Sequence, residues 1–217
     1  MEPFSRKIVL LHGIFMHGVV MSPMADYLRR QGFECLNLSY PSHQYSLAHN
    51  AAMLVEQIED FVAGEAACFV GHSLGGLLIR HLYAQAPHLL TRGCVVTLGT
   101  PHAGSRVANV TQCWHPFIVG SAWEQGLDGN APALAQEIPL LSIAGTHALG
   151  VGNLCRIFDQ DEANDGTVTV RETLCVEMSA HRLVHLSHTA LIYRKEVYDL
   201  VCAWARQHIP SPTAQQA

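Results

Sequence analysis

The sequence predicts an α/β protein with a reduced, six-stranded, mostly parallel sheet and helices on both of its faces. Short apolar runs alternate along the 217 residues with segments whose apolar residues recur at helical spacing, the order typical of parallel strands joined by helical crossovers. The runs are continuous, as at residues 8–11, which indicates strands buried on both faces. Hydrophobic residues make up 49% and charged residues 14% of the chain, so a disordered chain is excluded.

The elements follow one another in a regular order. The apolar runs predict strands at residues 7–11, 34–38, 67–70, 94–98, 140–144 and 174–178. Helical spacing, as in Leu54, Ile58 and Phe61, predicts helices at residues 23–30, 47–62, 74–85 and 190–207. The length favours one domain over residues 1–217, since domains average about 150 residues.

One segment, at about residues 103–138, is far longer than the usual connection between a strand and the next element. It mixes the large apolar side chains of Trp114, Phe117 and Trp123 with glycines and a proline. We interpret it as a short lid. The alternative is a surface excursion that packs its aromatic side chains permanently on the core.

The net charge and the lengths of the apolar runs indicate which classes of partner the protein is not expected to bind. Thirteen basic and eighteen acidic residues give a net charge of −5 without a basic run, so nucleic acid is not an expected partner. No apolar run approaches the roughly 20 residues of a transmembrane helix, and the first residues lack a secretory pattern, which favours a cytoplasmic protein. Seven cysteines without paired spacing predict reduced thiols.

A candidate nucleophile lies in the segment Gly71-His72-Ser73-Leu74-Gly75. The segment follows a predicted strand and precedes a predicted helix, which is the context of the G-x-S-x-G turn. Such a turn strains the serine backbone and needs glycine on both sides so that strand and helix can approach. Ser73 is therefore expected at the carboxyl edge of the sheet, next to the positive end of a helix.

A serine hydroxyl needs a general base, and that base needs a group to fix its tautomer. The order of elements places the base after the last strand and before the final helix, where His181, His185 and His188 lie. His188 is favoured because it directly precedes the helical segment. These histidines could instead bind a metal, but no glutamate or cysteine completes such a site, so no metal is expected.

The orienting acid is expected between the strand at 140–144 and the last strand. Asp159, Asp161, Glu162 and Asp165 lie there. Asp165 is favoured because Asn164-Asp165-Gly166 forms a turn signal that leads into β-branched residues and can hold a carboxylate in place.

If Ser73 attacks a carbonyl carbon, the tetrahedral intermediate carries an oxyanion, and backbone N–H donors are needed to stabilise it. Leu74, directly after the serine, supplies one in this arrangement. The second is expected in the loop after the first strand, where Gly13 permits a turn. Ile14 is favoured as this donor and Phe15 is the alternative.

These segments together resemble the α/β-hydrolase superfamily and, within it, the small bacterial lipases and esterases. The resemblance rests on residues 11–14 (LHGI), 71–76 (GHSLGG), 99–105 (GTPHAGS), 164–168 (NDGTV) and 187–188 (SH), in the Ser…Asp…His order of the family. The chain begins close to its first strand, so the two leading strands of larger relatives are not expected. Residues 189–192 do not match the calcium ligands of some bacterial lipases, so no structural calcium is expected.

The resemblance implies ester hydrolysis through an acyl-enzyme, with Ser73, Asp165 and His188 as the triad, Ile14 and Leu74 as oxyanion donors and no cofactor. The substrate is expected to be a small-molecule or lipid ester with an apolar acyl group. Phe15, Trp114, Phe117 and Trp123 are the candidates to contact it. Acyl transfer to an alcohol and a non-catalytic binding module on the same fold are the alternatives. The sequence does not specify the oligomeric state.

Overall fold

A six-stranded parallel sheet forms the centre of the computed structural model, which describes residues 6–210. The strands lie in the order β2-β1-β3-β4-β5-β6, and each neighbouring pair is parallel. They are β1 (Arg6–Leu11), β2 (Phe33–Leu38), β3 (Ala67–His72), β4 (Cys94–Leu98), β5 (Leu140–Gly145) and β6 (Ala180–Val184). The predicted fold class is confirmed.

Helices connect the strands and cover the sheet. They are α1 (Ser22–Arg30), α2 (Leu47–Val62), α3 (Leu74–Gln85), α4 (Arg106–Trp114), α5 (Pro116–Val119), α6 (Val151–Leu154) and α7 (Lys195–His208). The bounds of α2 and α3 coincide with those predicted. The segment predicted as one helix at 190–207 is instead a 3-10 turn (Thr189–Ile192) followed by α7, with a break at Tyr193 and Arg194. Among the described residues, no helix is long and apolar enough to cross a bilayer.

Two hydrophobic clusters lie on opposite faces of the sheet. Val9 and Leu11 of β1 pack into the cluster that contains α2 and α3, whereas Ile8 and Leu10 pack into the cluster that contains α1 and α7. Successive strand residues point to opposite faces, so a strand covered on both sides needs apolar residues at every position. This packing explains the continuous apolar run of β1.

The prediction for the sixth strand is wrong. Residues 174–178 were expected to form it, but they follow a 3-10 turn (Arg171–Thr173) as irregular chain, with Leu174 and Val176 exposed. The strand is Ala180–Val184 at the sheet edge, where every residue is half-buried or exposed. An edge strand with so little buried surface carries no apolar run, and its sequence therefore lacks the signal that identified the central strands.

The insertion between β4 and β5 contains α4, α5, a 3-10 turn (Gly120–Ala122) and an irregular turn at Trp123–Leu127. Its second half is anchored: Val119, Ala122, Leu127, Leu134 and Ile138 belong to the core cluster on the α2–α3 face. The helix pair α4–α5 buries only Ala108 and Val119. The later residues of the insertion are thus packed on the core, whereas most of α4 and α5 is exposed.

Candidate active site

Ser73 lies in a strained turn between β3 and α3. Its backbone has φ 52° and ψ −118°, a conformation that side-chain-bearing residues rarely adopt. A Cβ on Gly71 would lie 2.4 Å from the backbone nitrogen of Gly76, and one on Gly75 would lie 2.3 Å from the carbonyl oxygen of Leu11. Glycine is therefore required on both sides of Ser73, as the sequence predicted.

Neighbouring segments hold this turn in place. The Ser73 N–H donates to the carbonyl of Leu98 at the end of β4 (2.8 Å), and the Thr100 hydroxyl donates to the Ser73 carbonyl (2.9 Å). The Ser73 side chain caps no N–H of α3. Its hydroxyl is consequently not committed to stabilising the helix and lies at the carboxyl edge of the sheet.

Asp165 and His188 form a buried pair. His188 Nδ1 lies 2.7 Å from Asp165 Oδ2, and the carboxylate is only 1% exposed. Asp165 Oδ1 accepts hydrogen bonds from the backbone N–H groups of Thr167 (2.9 Å) and Val168 (2.7 Å) in the turn that the sequence indicated. Because a carboxylate only accepts, the ring proton of His188 lies on Nδ1 and its Nε2 carries the lone pair.

Two sets of distances place the Asp165–His188 pair beside the turn that contains Ser73. Gly99 follows Leu98, the acceptor of the Ser73 N–H, and a Cβ on Gly99 would lie 2.9 Å from His188 Nδ1 and 3.0 Å from Asp165 Oδ2. The ring of His72, which directly precedes Ser73, lies 4.8 Å from the ring of His188. The three predicted triad residues therefore lie together at the carboxyl edge of the sheet.

The two predicted oxyanion donors are also at this edge. Leu74 is the first residue of α3, so its N–H has no acceptor within the helix. A Cβ on Gly13, which precedes Ile14, would lie 3.2 Å from Ser73 Cβ. The N–H of Phe15, the alternative donor, is bound to the Ser42 hydroxyl at 3.0 Å, whereas no described residue accepts a hydrogen bond from Ile14 N–H. This arrangement favours Ile14 over Phe15.

The rival candidates of the sequence lie in other contacts. His181 Nε2 is 3.0 Å from the Thr173 hydroxyl, and His185 packs edge-on against His147. Glu162 and Asp159 form ion pairs with Arg106 of α4. In the described part of the chain, no hydrogen bond or ion pair joins these side chains to Asp165 or His188.

The four candidate substrate-contacting residues do not share one cavity. Phe15 lines a groove of about 490 Å³ together with Tyr40, Ser42 and His43. Phe117 and Trp123 line a second groove of about 460 Å³, and Trp123 also packs partly on the core. Trp114 is 78% and Phe117 94% exposed. The aromatic side chains of α4 and α5 are thus not packed permanently on the core, whereas that of Trp123 partly is.

Sequence reasoning did not predict a buried ion pair between Arg80 of α3 and Glu177. Arg80 of α3 makes two hydrogen bonds to the carboxylate of Glu177 (3.1 and 3.2 Å) and a third to the carbonyl of Pro132 (3.0 Å). Arg80 Nε also donates to His102 Nδ1 at 3.1 Å, and burial followed by the Arg80 charge lowers the pKa of His102 to about 3. Because His102 and Pro132 lie near the two ends of the insertion, Arg80 ties both ends to the helix that follows Ser73.

Electrostatics explain why this pair is tolerated in the interior. Burial by itself raises the pKa of Glu177, but the hydrogen bonds and charge of Arg80 outweigh it, and the pKa is lowered. The bidentate geometry satisfies both carboxylate oxygens. No local motif marks Arg80 or Glu177, which are 97 residues apart in the sequence.

Comparison with known proteins identifies the family of the chain. A model of the alpha/beta hydrolase family matches residues 8–214. The pimeloyl-[acyl-carrier protein] methyl ester esterase of Xylella fastidiosa (strain M12) is 31% identical over 100 residues, 45% of this chain and 38% of that protein. The enzyme of the same name from Xanthomonas campestris pv. campestris (strain B100) is 27% identical over 123 residues, 56% of this chain and 42% of that protein. The matched segment thus spans about two fifths of these relatives.

Solved structures share the fold at low identity. The lipase BlEst2 of Bacillus licheniformis in its mature form superposes with a TM-score of 0.72 at 19% identity, covering 88% of each chain. The monoacylglycerol lipase of Paleococcus ferrophilus superposes with a TM-score of 0.61 at 16% identity, covering 96% of this chain and 100% of that one. Because the family model matches nearly the whole described chain, we conclude that this protein belongs to the alpha/beta hydrolase family.

Proposed function

We propose that the protein is a serine hydrolase that cleaves carboxylic esters with an apolar acyl group through an acyl-enzyme intermediate. The observation that carries this proposal is the buried Asp165–His188 pair next to the turn of Ser73. Relatives named as methyl ester esterases and lipases support ester cleavage as the reaction. A small or lipid ester is the expected substrate.

The geometry supports a two-step reaction. Ser73 Oγ bonds to the ester carbonyl carbon while its proton moves to His188 Nε2, and the carbonyl oxygen becomes an oxyanion facing the N–H groups of Ile14 and Leu74. The tetrahedral intermediate then releases the alcohol, which takes the proton from His188. Water attacks the acyl-enzyme, its proton passes through His188 back to Ser73, and the acid leaves. Asp165 keeps the His188 proton on Nδ1 throughout.

The test of this proposal uses chromogenic esters of graded acyl length and a fluorophosphonate probe. We expect steady hydrolysis of the esters and covalent labelling of the wild-type protein at Ser73. A folded protein that neither hydrolyses the esters nor reacts with the probe would instead be a binding module. Product analysis with a competing alcohol separates hydrolysis from acyl transfer, because both reactions share the acyl-enzyme.

The rate of ester hydrolysis is expected to fall as the pH is lowered. His188 accepts a proton only when its imidazole is neutral, so lowering the pH removes the active form. His72 does not contribute to this fall, because burial and the neighbouring His188 hold its pKa at about 3, and it stays neutral. The pH dependence of kcat/KM for a short-chain ester measures this. A rate that does not fall as the pH is lowered would contradict the assignment of His188.

The exposed aromatic side chains of Phe15 and Phe117 are expected to set the preference for acyl length. Replacing Phe15 or Phe117 with alanine removes apolar surface that a longer acyl chain covers, which is worth about 1 kcal/mol. The preference for an eight-carbon over a two-carbon acyl ester, measured as the ratio of kcat/KM values, should fall roughly fivefold.

Val176→Ala is the matched control for this series. Val176 is 87% exposed, and it lies in the irregular segment before β6. We expect the acyl-length preference of this variant to equal that of the wild type. If all three variants change the preference alike, or none does, Phe15 and Phe117 do not contact the acyl chain.

A further inference from the structure

His72 is the last residue of β3 and directly precedes Ser73. Its side chain is completely buried, and its Nε2 lies 3.1 Å from the backbone carbonyl oxygen of His188. A carbonyl oxygen only accepts, so His72 Nε2 carries the proton and donates it. The residue next to the nucleophile is therefore hydrogen-bonded to the residue that bears the general base.

The other nitrogen of this ring has no hydrogen-bond partner. His72 Nδ1 is buried and unpaired within the described chain, and a Cβ on Gly13 would lie only 3.0 Å from it. A buried polar atom without a partner destabilises the folded state. An apolar side chain would fill the same space without this cost. The imidazole at position 72 is thus explained by the hydrogen bond at Nε2 and not by packing.

Two further hydrogen bonds join His188 to Asp165. The His188 N–H donates to the Asp165 carbonyl at 2.9 Å, and its Nδ1 pairs with Asp165 Oδ2. These contacts fix His188 relative to Asp165. The hydrogen bond from His72 is different, because it ties the backbone of His188 to β3, the strand that ends directly before Ser73.

The charge state of His72 suits a supporting role. The titratable groups that face the two rings are Asp165 against His188, and His188 and His12 near His72. Burial first, and then the neighbouring His188, keeps His72 neutral. It therefore neither takes the proton that His188 receives from Ser73 nor repels the imidazolium that forms.

We propose that His72 is a positioning residue that holds His188 at the correct distance from Ser73 through the hydrogen bond from its Nε2 to the His188 carbonyl. This inference rests on the proposed function. It assigns to the second residue of the G-x-S-x-G segment a role in aligning the base.

The test compares variants that keep or lose the donor. His72→Gln places an amide nitrogen near the position of Nε2, whereas His72→Met and His72→Asn do not. We expect kcat for a short-chain ester to fall about 10- to 100-fold in the Met and Asn variants, with KM little changed, since small displacements of a catalytic group cost this much. His72→Gln should restore most of the lost rate.

The pH profile distinguishes alignment from mere stability. Without the His72 hydrogen bond the backbone of His188, whose N–H donates to the Asp165 carbonyl, can shift, and the contact between its Nδ1 and Asp165 Oδ2 loosens. The protonated form of His188 is then less well stabilised, so the acid limb of kcat/KM, the pH range over which the rate falls, should move to lower pH in the Met and Asn variants and not in the Gln variant. His81→Met is the matched control: His81 is also buried, and its Nε2 lies 2.7 Å from the carbonyl of Gln125. That variant should lose stability without moving the acid limb.

Each outcome has a definite meaning. Equal kcat and equal acid limbs in all His72 variants that remain folded would overturn the inference, as would an acid limb that moves equally in His81→Met. If His72→Met does not fold, His72→Asn decides, because it also lacks the donor at the Nε2 position. Failure of the proposed function is a separate result, namely a wild-type protein without hydrolysis or probe labelling.

Discussion

Replacing Ser73 with alanine is expected to lower kcat for ester hydrolysis by about 10⁵- to 10⁶-fold and to abolish fluorophosphonate labelling. The variant loses the only atom that forms the acyl-enzyme bond in the proposed reaction, and water at the same place is a far weaker nucleophile. The measurement is the steady-state rate with a chromogenic ester, together with mass analysis of the probe-treated protein. Residual activity would come from substrate binding and the oxyanion donors alone.

The Ser73→Ala variant should still fold. The Ser73 hydroxyl caps no N–H of α3, and the contacts that hold the turn use the backbone of this residue. Ser179→Ala is the matched control, since the Ser179 hydroxyl accepts a hydrogen bond from Leu140 N–H beside the edge strand, in the same sheet. It should be labelled like the wild type. Labelling of Ser73→Ala at the wild-type rate would place the nucleophile elsewhere.

Replacing Asp165 with asparagine is expected to lower kcat by about 10⁴-fold. The carboxylate accepts from His188 Nδ1 and from the N–H groups of Thr167 and Val168. The amide oxygen of asparagine can satisfy the two backbone donors, but its NH₂ group then faces His188 and favours the tautomer with the proton on Nε2. That tautomer cannot accept the proton of Ser73, so the substitution removes the base without removing the ring.

The control for this variant is Asp161→Asn, which changes a rival acidic residue of the same loop. Asp161 is exposed, whereas Asp165 is almost completely buried. We expect Asp161→Asn to retain the wild-type rate. If it lost as much activity as Asp165→Asn, or if Asp165→Asn kept the wild-type rate at every pH, Asp165 would not be the residue that orients His188.

The central strands and the nucleophile turn could be predicted because their signals are local. A strand such as β3 is apolar at each position from 67 to 70, since both faces of the sheet are covered. The glycines around Ser73 are dictated by backbone distances within a single turn. The edge strand β6 gave no such signal, because an exposed edge does not require apolar residues. The prediction at 174–178 followed a mostly apolar run, but Leu174 and Val176 of this run are exposed and its charged residue, Glu177, is buried.

The residues of the candidate site could be predicted from the sequence, but most of the contacts among them could not. Asp165 and His188 were chosen from their order along the chain, and the roles assigned to them stay predictions. Ser42, which binds the Phe15 N–H, and Arg80, which pairs with Glu177, carry no motif, because their partners are distant in the sequence. The four aromatic residues proposed to contact substrate were grouped by composition, whereas the structure distributes them over separate grooves and an exposed helix pair.

The sequence by itself determined the alternation of strands and helices, the strained turn at Ser73 and the short set of residues that could serve it, since backbone sterics and solvent burial act on neighbouring positions. Only the tertiary structure decided which histidine pairs with which carboxylate, why Ile14 and not Phe15 has its N–H free of a described partner, and that His72 reaches the backbone of His188. The physical reason is that hydrogen bonds depend on distances of about 3 Å between atoms that lie far apart along the chain. Those distances exist only after the parallel sheet has brought the ends of its strands to one edge.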